Sequence, residues 1–206
     1  MRDWWLRTLL VLQRPRAVFV ALRDDGKESA SDRSEPILAV IILAGMAGVL
    51  TTSTAAHLMD PDANALDPGV TAIWAFIFGG IYGTFVYWAF GAILYWAGRA
   101  FGSQGSYRRA RNVLAFAAVP VALSLVVLWP VKLALYGGDW FRTGGRDTGS
   151  GGAAFDLLTY AFFLWSLTLL AIGMRSVHGW TWGRALAATG TALIAPVLLG
   201  AYFVTH

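Results

Sequence analysis

The stretch GVTAIWAFIFGGIYGTFVYWAFGAILYWAG, Gly69 to Gly98, runs for thirty residues without a charge. About 20 apolar residues already cross the hydrocarbon of a bilayer as a helix. At 1.5 Å per residue this stretch would measure roughly 45 Å, more than that thickness. It predicts a span that tilts, bends or begins at the interface. Arg99 ends it, and Arg108, Arg109 and Arg111 follow in what reads as a polar loop.

Four further apolar runs lie on either side of it. Span one is expected from Pro36 to about Leu58, with Pro36 in its first turn, where a missing N–H costs nothing. Span three covers Val113 to Tyr136 and contains Pro120 and Pro130, so a kink is expected. Span four is Phe155 to Met174. A tight turn over Arg175 to Gly183 leads to span five, Trp182 to Val204, with Thr181 suited to cap it. The fold class is therefore all-α, a polytopic membrane protein of five transmembrane helices.

The basic residues give the orientation. Thirteen of the sixteen Lys and Arg lie before Pro36, between Arg99 and Arg111, or at Arg175 and Arg184. Lys and Arg collect in loops that stay in the cytoplasm. The N-terminus is therefore expected inside and the C-terminus outside. The remaining three, Lys132, Arg142 and Arg146, are assigned to the outer side. So are the acidic loop from Met59 to Pro68 and the glycine-rich loop from Gly137 to Ala154.

Residues 1–35 form the first of two regions, ahead of the five-span domain of residues 36–206. Trp4, Trp5, Leu6, Leu9, Leu10 and Leu12 alternate with Arg2, Arg7 and Arg14. That mixture suits a helix in the headgroup plane. Pro15 would open a second short helix with Ala17, Val18, Ala21 and Leu22 as its apolar face, and Asp24 to Glu35 reads as a linker. The first apolar run is short, interrupted by Arg7 and followed by no small-residue cleavage site, so no cleavable signal peptide is expected.

Composition narrows the chemistry. Hydrophobic residues make up 57% of the chain and charged residues 14%, where a soluble domain carries about 25% charged residues. Ten Trp suit a membrane–water interface. The net charge of +4 could suggest nucleic acid, but the basic segments flank apolar spans, so topology explains it and no nucleic-acid partner is expected. Without Cys there is no disulfide, thiolate metal site or Cys nucleophile. His57, His178 and His206 are isolated in sequence. No metal-ligand spacing, phosphate loop or nucleophile–base pair is present, so no metal, cofactor or catalytic residue is expected.

Two stretches resemble a known family. Gly105-Ser106-Tyr107-Arg108-Arg109 leads into Val113-Leu114-Ala115-Phe116-Ala117-Ala118-Val119-Pro120. This is similar to the Yip domain family, in which a short polar loop enters a third span through an alanine-rich segment ending in proline. Leu164-Trp165-Ser166, then Ile172 to Trp180, then Arg184-Ala185-Leu186 are similar to that family's fourth span, tight turn and fifth span. Arg14-Pro15-Arg16-Ala17 resembles the segment that opens many bacterial members. The resemblance implies the five-span fold and a membrane location. Eukaryotic members bind prenylated Ypt/Rab GTPases and act in vesicle traffic, and their longer cytoplasmic N-terminal regions are not matched by residues 1–35. The alanine- and arginine-rich composition resembles that of a high-GC bacterium, so the cytoplasmic membrane of a bacterium is the expected location, and GTPase binding is not carried over.

Three groups of residues are candidates for function. Ala75, Gly79, Gly83 and Gly91 form a small-residue stripe that lets helices approach closely, within the bundle or between copies. Tyr87 and Tyr95 continue it, and their hydroxyls need partners if buried. Lys132, the one basic residue inside a span, could pair with Asp156 in the first turn of span four, or snorkel. Arg108, Arg109 and Arg111 could bind anionic headgroups or an acidic partner, or serve topology alone. The leading reading is a non-enzymatic membrane protein that binds or scaffolds lipids and other membrane proteins. The runner-up is a transporter or permease subunit, favoured by glycine- and proline-broken spans but not by any charge at mid-depth. A membrane-embedded enzyme comes third, with only Lys132 and Asp156 to support it.

Overall fold

A computed structural model describes residues 2–24, 26–51, 68–137 and 149–205, with side chains at 3–24, 26, 31–51, 73–137, 149–194 and 198. The acidic loop, most of the glycine-rich loop with Arg142 and Arg146, and the expected end of span one lie outside these residues. Every regular element among the described residues is a helix. In chain order they are α1 (Arg2–Leu10), α2 (Pro15–Ala21), α3 (Lys27–Thr51), α4 (Pro68–Ala100), α5 (Tyr107–Ala117), α6 (Val119–Tyr136), α7 (Ser150–His178) and α8 (Trp182–Thr205).

Four stretches are long and apolar enough to cross a membrane: Ser31–Thr51, Ile73–Ala100, Tyr107–Tyr136 and Ser150–His178. The third is the most enclosed by protein. The other three are exposed over most of their length, as helices facing lipid would be. The α8 helix occupies the place of the expected fifth span.

Two helices begin earlier than their charges suggest. The stretch read as a linker is helical from Lys27, which leaves Pro36 inside α3 instead of in its first turn. Its ring nitrogen cannot donate to the carbonyl of Asp32, yet the helix continues because long-range contacts hold it. Arg33 is buried, donates to the Asp24 carbonyl at 2.7 Å and lies 5.1 Å from the centre of the Trp4 ring. The Trp5 indole N–H meets the Glu35 carboxylate at 3.4 Å.

Helix α5 likewise starts at Tyr107, so Arg108, Arg109 and Arg111 are helical and not in a loop. The Ser106 hydroxyl accepts the Arg109 N–H at 3.1 Å, a cap that satisfies a donor of the first turn. The expected kink in span three falls at Ala118, between α5 and α6. Pro120 cannot donate to the Phe116 carbonyl, whereas α6 runs through Pro130 without a break. Helix α7 begins at Ser150, so Asp156 lies beyond the first turn and loses the dipole argument made for it.

The chain divides into two compact units. Unit one comprises Met1–Ile37, Phe85–Ala117 and Leu167–His206; unit two comprises Leu38–Thr84 and Ala118–Ser166. In unit one, Trp4 packs on Phe116 with ring centres 5.8 Å apart, and Val18, Phe19 and Leu22 of the α2 segment are buried. Each such side chain contributes about 1.5–3 kcal/mol. Trp5, Leu6, Leu9 and Leu10 of α1 stay exposed. Unit two closes by contact of α3 with α4. A Cβ added at Gly79 would stand 2.6 Å from Met46 Cα, and one at Gly45 2.8 Å from Gly83 Cα. Backbones this close leave no room for a larger side chain unless one helix shifts.

Candidate interaction site: arginine-braced helix ends

The site of interest is in unit one, where two helices stop in the same way. After α4, Gly102 takes φ 79°; the Ser103 N–H returns to the Gly98 carbonyl at 2.9 Å and the Gly102 N–H to Arg99 at 2.9 Å. After α7, Gly179 takes φ 68° and the Trp180 N–H returns to the Arg175 carbonyl at 3.1 Å. Both are Schellman-type endings, which need a residue tolerant of positive φ and satisfy part of the last turn's carbonyls.

An arginine from another segment meets a further carbonyl at each end. Arg184, at the start of α8, donates to the Phe101 carbonyl through Nε at 2.6 Å and also through Nη2. Arg23, after α2, donates to the Ser176 carbonyl through Nε at 3.1 Å and Nη2 at 2.5 Å. A cation here also meets the negative end of the helix dipole. Arg109 Nη2 donates to the Arg23 carbonyl at 2.7 Å, which ties α5 to the same cluster. His178 stacks on Trp180 with ring centres 4.5 Å apart. The Ser103 hydroxyl lies 3.3 Å from His178 Nδ1 and accepts the Gly105 N–H at 3.0 Å. The N-terminal segment, the α4–α5 loop and the α7–α8 turn are thus joined by side chain to carbonyl bonds.

A second group of cations sits on aromatic rings. The Arg111 guanidinium carbon is 3.6 Å from the centre of the Trp88 ring, 4.6 Å from Tyr107 and 5.0 Å from Tyr87. Its aliphatic stem lies over Gly91, where any Cβ would collide with it. The Tyr107 hydroxyl donates to the Trp88 carbonyl at 2.7 Å, and that of Tyr87 to Asn112 Oδ1 at 3.3 Å. Arg99 lies 5.9 Å from the Tyr95 ring, Arg175 4.6 Å from Trp182 and Arg184 4.9 Å from Trp180. Each such contact contributes about 0.5–2 kcal/mol, more as it is desolvated.

The residues singled out from sequence do not form one site. Arg109 and Arg111 join the two groups just described, and Arg108 is half-buried on the same helix. Gly91 meets α5, whereas Gly79 and Gly83 meet α3. Lys132 is 1% exposed; its ammonium lies 4.9 Å from the Trp129 ring centre and 5.7 Å from that of Phe155. Asp156 is exposed. Among the described residues no group of three or more His, Asp or Glu could hold a metal ion. Arg23 and Arg184 escaped the sequence reading because their acceptors are backbone carbonyls 153 and 83 residues away. The glycines that end α4 and α7 were the legible signal there.

No curated protein and no solved structure matches the chain. Residues 9–204 match the Yip1 domain, nearly the whole sequence. With its long apolar helices, the protein is an integral, multi-pass membrane protein that belongs to the Yip1 domain family.

Proposed function

We propose that the protein crosses the cytoplasmic membrane of a bacterium five times, N-terminus inside and C-terminus outside, and acts as a non-enzymatic binder or scaffold of other membrane components. One observation carries this reading. All three basic clusters of the sequence fall in unit one, and their arginines brace helix ends and rings of other segments. Basic residues gathered in one compact unit support a cytoplasmic assignment for it. Arginines held on carbonyls and aromatic rings make a fixed basic surface, which suits recognition of anionic lipids and acidic membrane partners.

The transporter reading draws on Lys132, a buried cation in unit two, since an ionisable group inside a span is a functional candidate. Affinity purification of the full chain in mild detergent, followed by mass spectrometry, separates the two. Membrane proteins or lipid without a transport subunit support the scaffold. A stoichiometric ATPase or permease subunit would overturn it in favour of transport.

A further inference from the structure

We infer that Arg111, in its cage of Trp88, Tyr107 and Tyr87, receives the phosphate of an anionic phospholipid. The inference rests on the membrane-binder reading and deepens it by naming a ligand and a place.

Arg111 has no hydrogen-bond acceptor among the described residues, and its Nε is buried without a partner. A guanidinium carries five donors and remains charged. Three rings supply favourable contact to its face, but they accept no charge-assisted hydrogen bond. Arg111 is half-buried, and a buried N–H left without an acceptor costs free energy, so its hydrogen bonding is incomplete as built.

The chain offers little to complete it. The segments Phe85–Ala117 and Leu167–His206 hold Arg99, Arg108, Arg109, Arg111, Arg175 and Arg184 and no carboxylate. Unit one as a whole has thirteen basic residues against six acidic ones, all six of them before Pro36. No carboxylate among the described residues meets Arg111, which points to an anion from outside the chain. The cage wall identifies its source. Trp88 is 50% exposed on an apolar helix whose one charge is Arg99 in its last turn, and exposed Trp beside Arg marks headgroup depth. At that depth the abundant anion is a lipid phosphate, and a guanidinium fork matches phosphate oxygens. Gly91 fits the same design, since it lets the Arg111 stem lie flat on α4 with the guanidinium held against Trp88.

The test uses the full chain in nanodiscs of phosphatidylglycerol or of phosphatidylcholine. Phenylglyoxal modifies accessible arginines, and peptide mapping reads each one. Modification of Arg111 should be about tenfold slower with phosphatidylglycerol, the protection expected from one charge-assisted contact. Excess inorganic phosphate added to phosphatidylcholine discs should protect little. Equal modification in both lipids overturns the inference. Protection by inorganic phosphate alone also overturns it, by assigning Arg111 to a soluble anion. Native mass spectrometry of Arg111→Gln should show one retained phosphatidylglycerol lost, with partial rescue in Arg111→Lys; full retention in Arg111→Gln counts against the site. The wild-type labelling decides the matter even where a variant fails to fold. It reads lipid alone, so its failure is distinct from recovery of a transport complex, which would sink the scaffold reading instead.

Discussion

Gly79 and Gly80 are neighbours in α4 that should respond oppositely to the same added methyl group. At Gly79 the new Cβ would lie 2.6 Å from Met46 Cα, Met46 N and Met46 Cγ. Two of those atoms are backbone, so α3 must move as a whole to relieve the contact. Overpacking of this kind costs about 1–3 kcal/mol. Alanine returns about 1 kcal/mol through its higher helix propensity, which leaves Gly79→Ala roughly 0–2 kcal/mol below the wild type and about 1–3 kcal/mol below Gly80→Ala. At Gly80 nothing lies within 4 Å of the same atom, so only the propensity term remains and Gly80→Ala should be neutral or stabilised. Gly79→Leu should lose more than Gly79→Ala. The assay is thermal unfolding in mild detergent, followed by circular dichroism and by retention of the monodisperse peak in size exclusion. Equal midpoints for Gly79→Ala and Gly80→Ala would refute the reasoning, because they would place both residues on open faces.

Three further outcomes are expected. Arg184→Ala and Arg23→Ala should each lower stability by about 1 kcal/mol, less than the 1.5–3 kcal/mol of a buried charged hydrogen bond because both arginines are exposed; exposed Arg16→Ala should leave the midpoint unmoved. Trp5→Ser with Leu9→Ser should release α1 from the membrane surface and quicken its cleavage by protease on the cytoplasmic side; unchanged protection would mean that this exposed apolar face does not rest on lipid. Lys132→Met and Asp156→Asn, if the two side chains pair, should together cost less than the sum of the single changes, and strict additivity in a double-mutant cycle would remove the pair.

The long apolar helices were legible because they are nearly free of charge: Gly69 to Gly98 became α4 almost to the residue. Helix starts were less so, for one physical reason. Arg108, Arg109 and Arg111 read as loop because they are charged, but a capped first turn tolerates charge when Ser106 supplies the cap and rings receive the cations. Asp24 to Glu35 read as a linker by composition, yet most of it is helix, because Arg33 reaches the Asp24 carbonyl and the Trp4 ring. The candidate residues were partly legible for the same reason. Small residues announce a close approach but not its partner, so one stripe supplies both the α3 contact at Gly79 and Gly83 and the Arg111 cradle at Gly91. The braces by Arg23 and Arg184 join distant segments through backbone oxygen, which no side-chain pattern encodes.

The central claim is five spans with the basic unit inside, and reporter fusions test it most directly. Fusions after residues 64, 104, 148, 179 and 206, each read by a pair of reporters active on opposite sides of the membrane, cover every connection. The account predicts inside signal at 104 and 179 and outside signal at 64, 148 and 206. Outside signal at 104 or 179, or inside signal at 206, would contradict it.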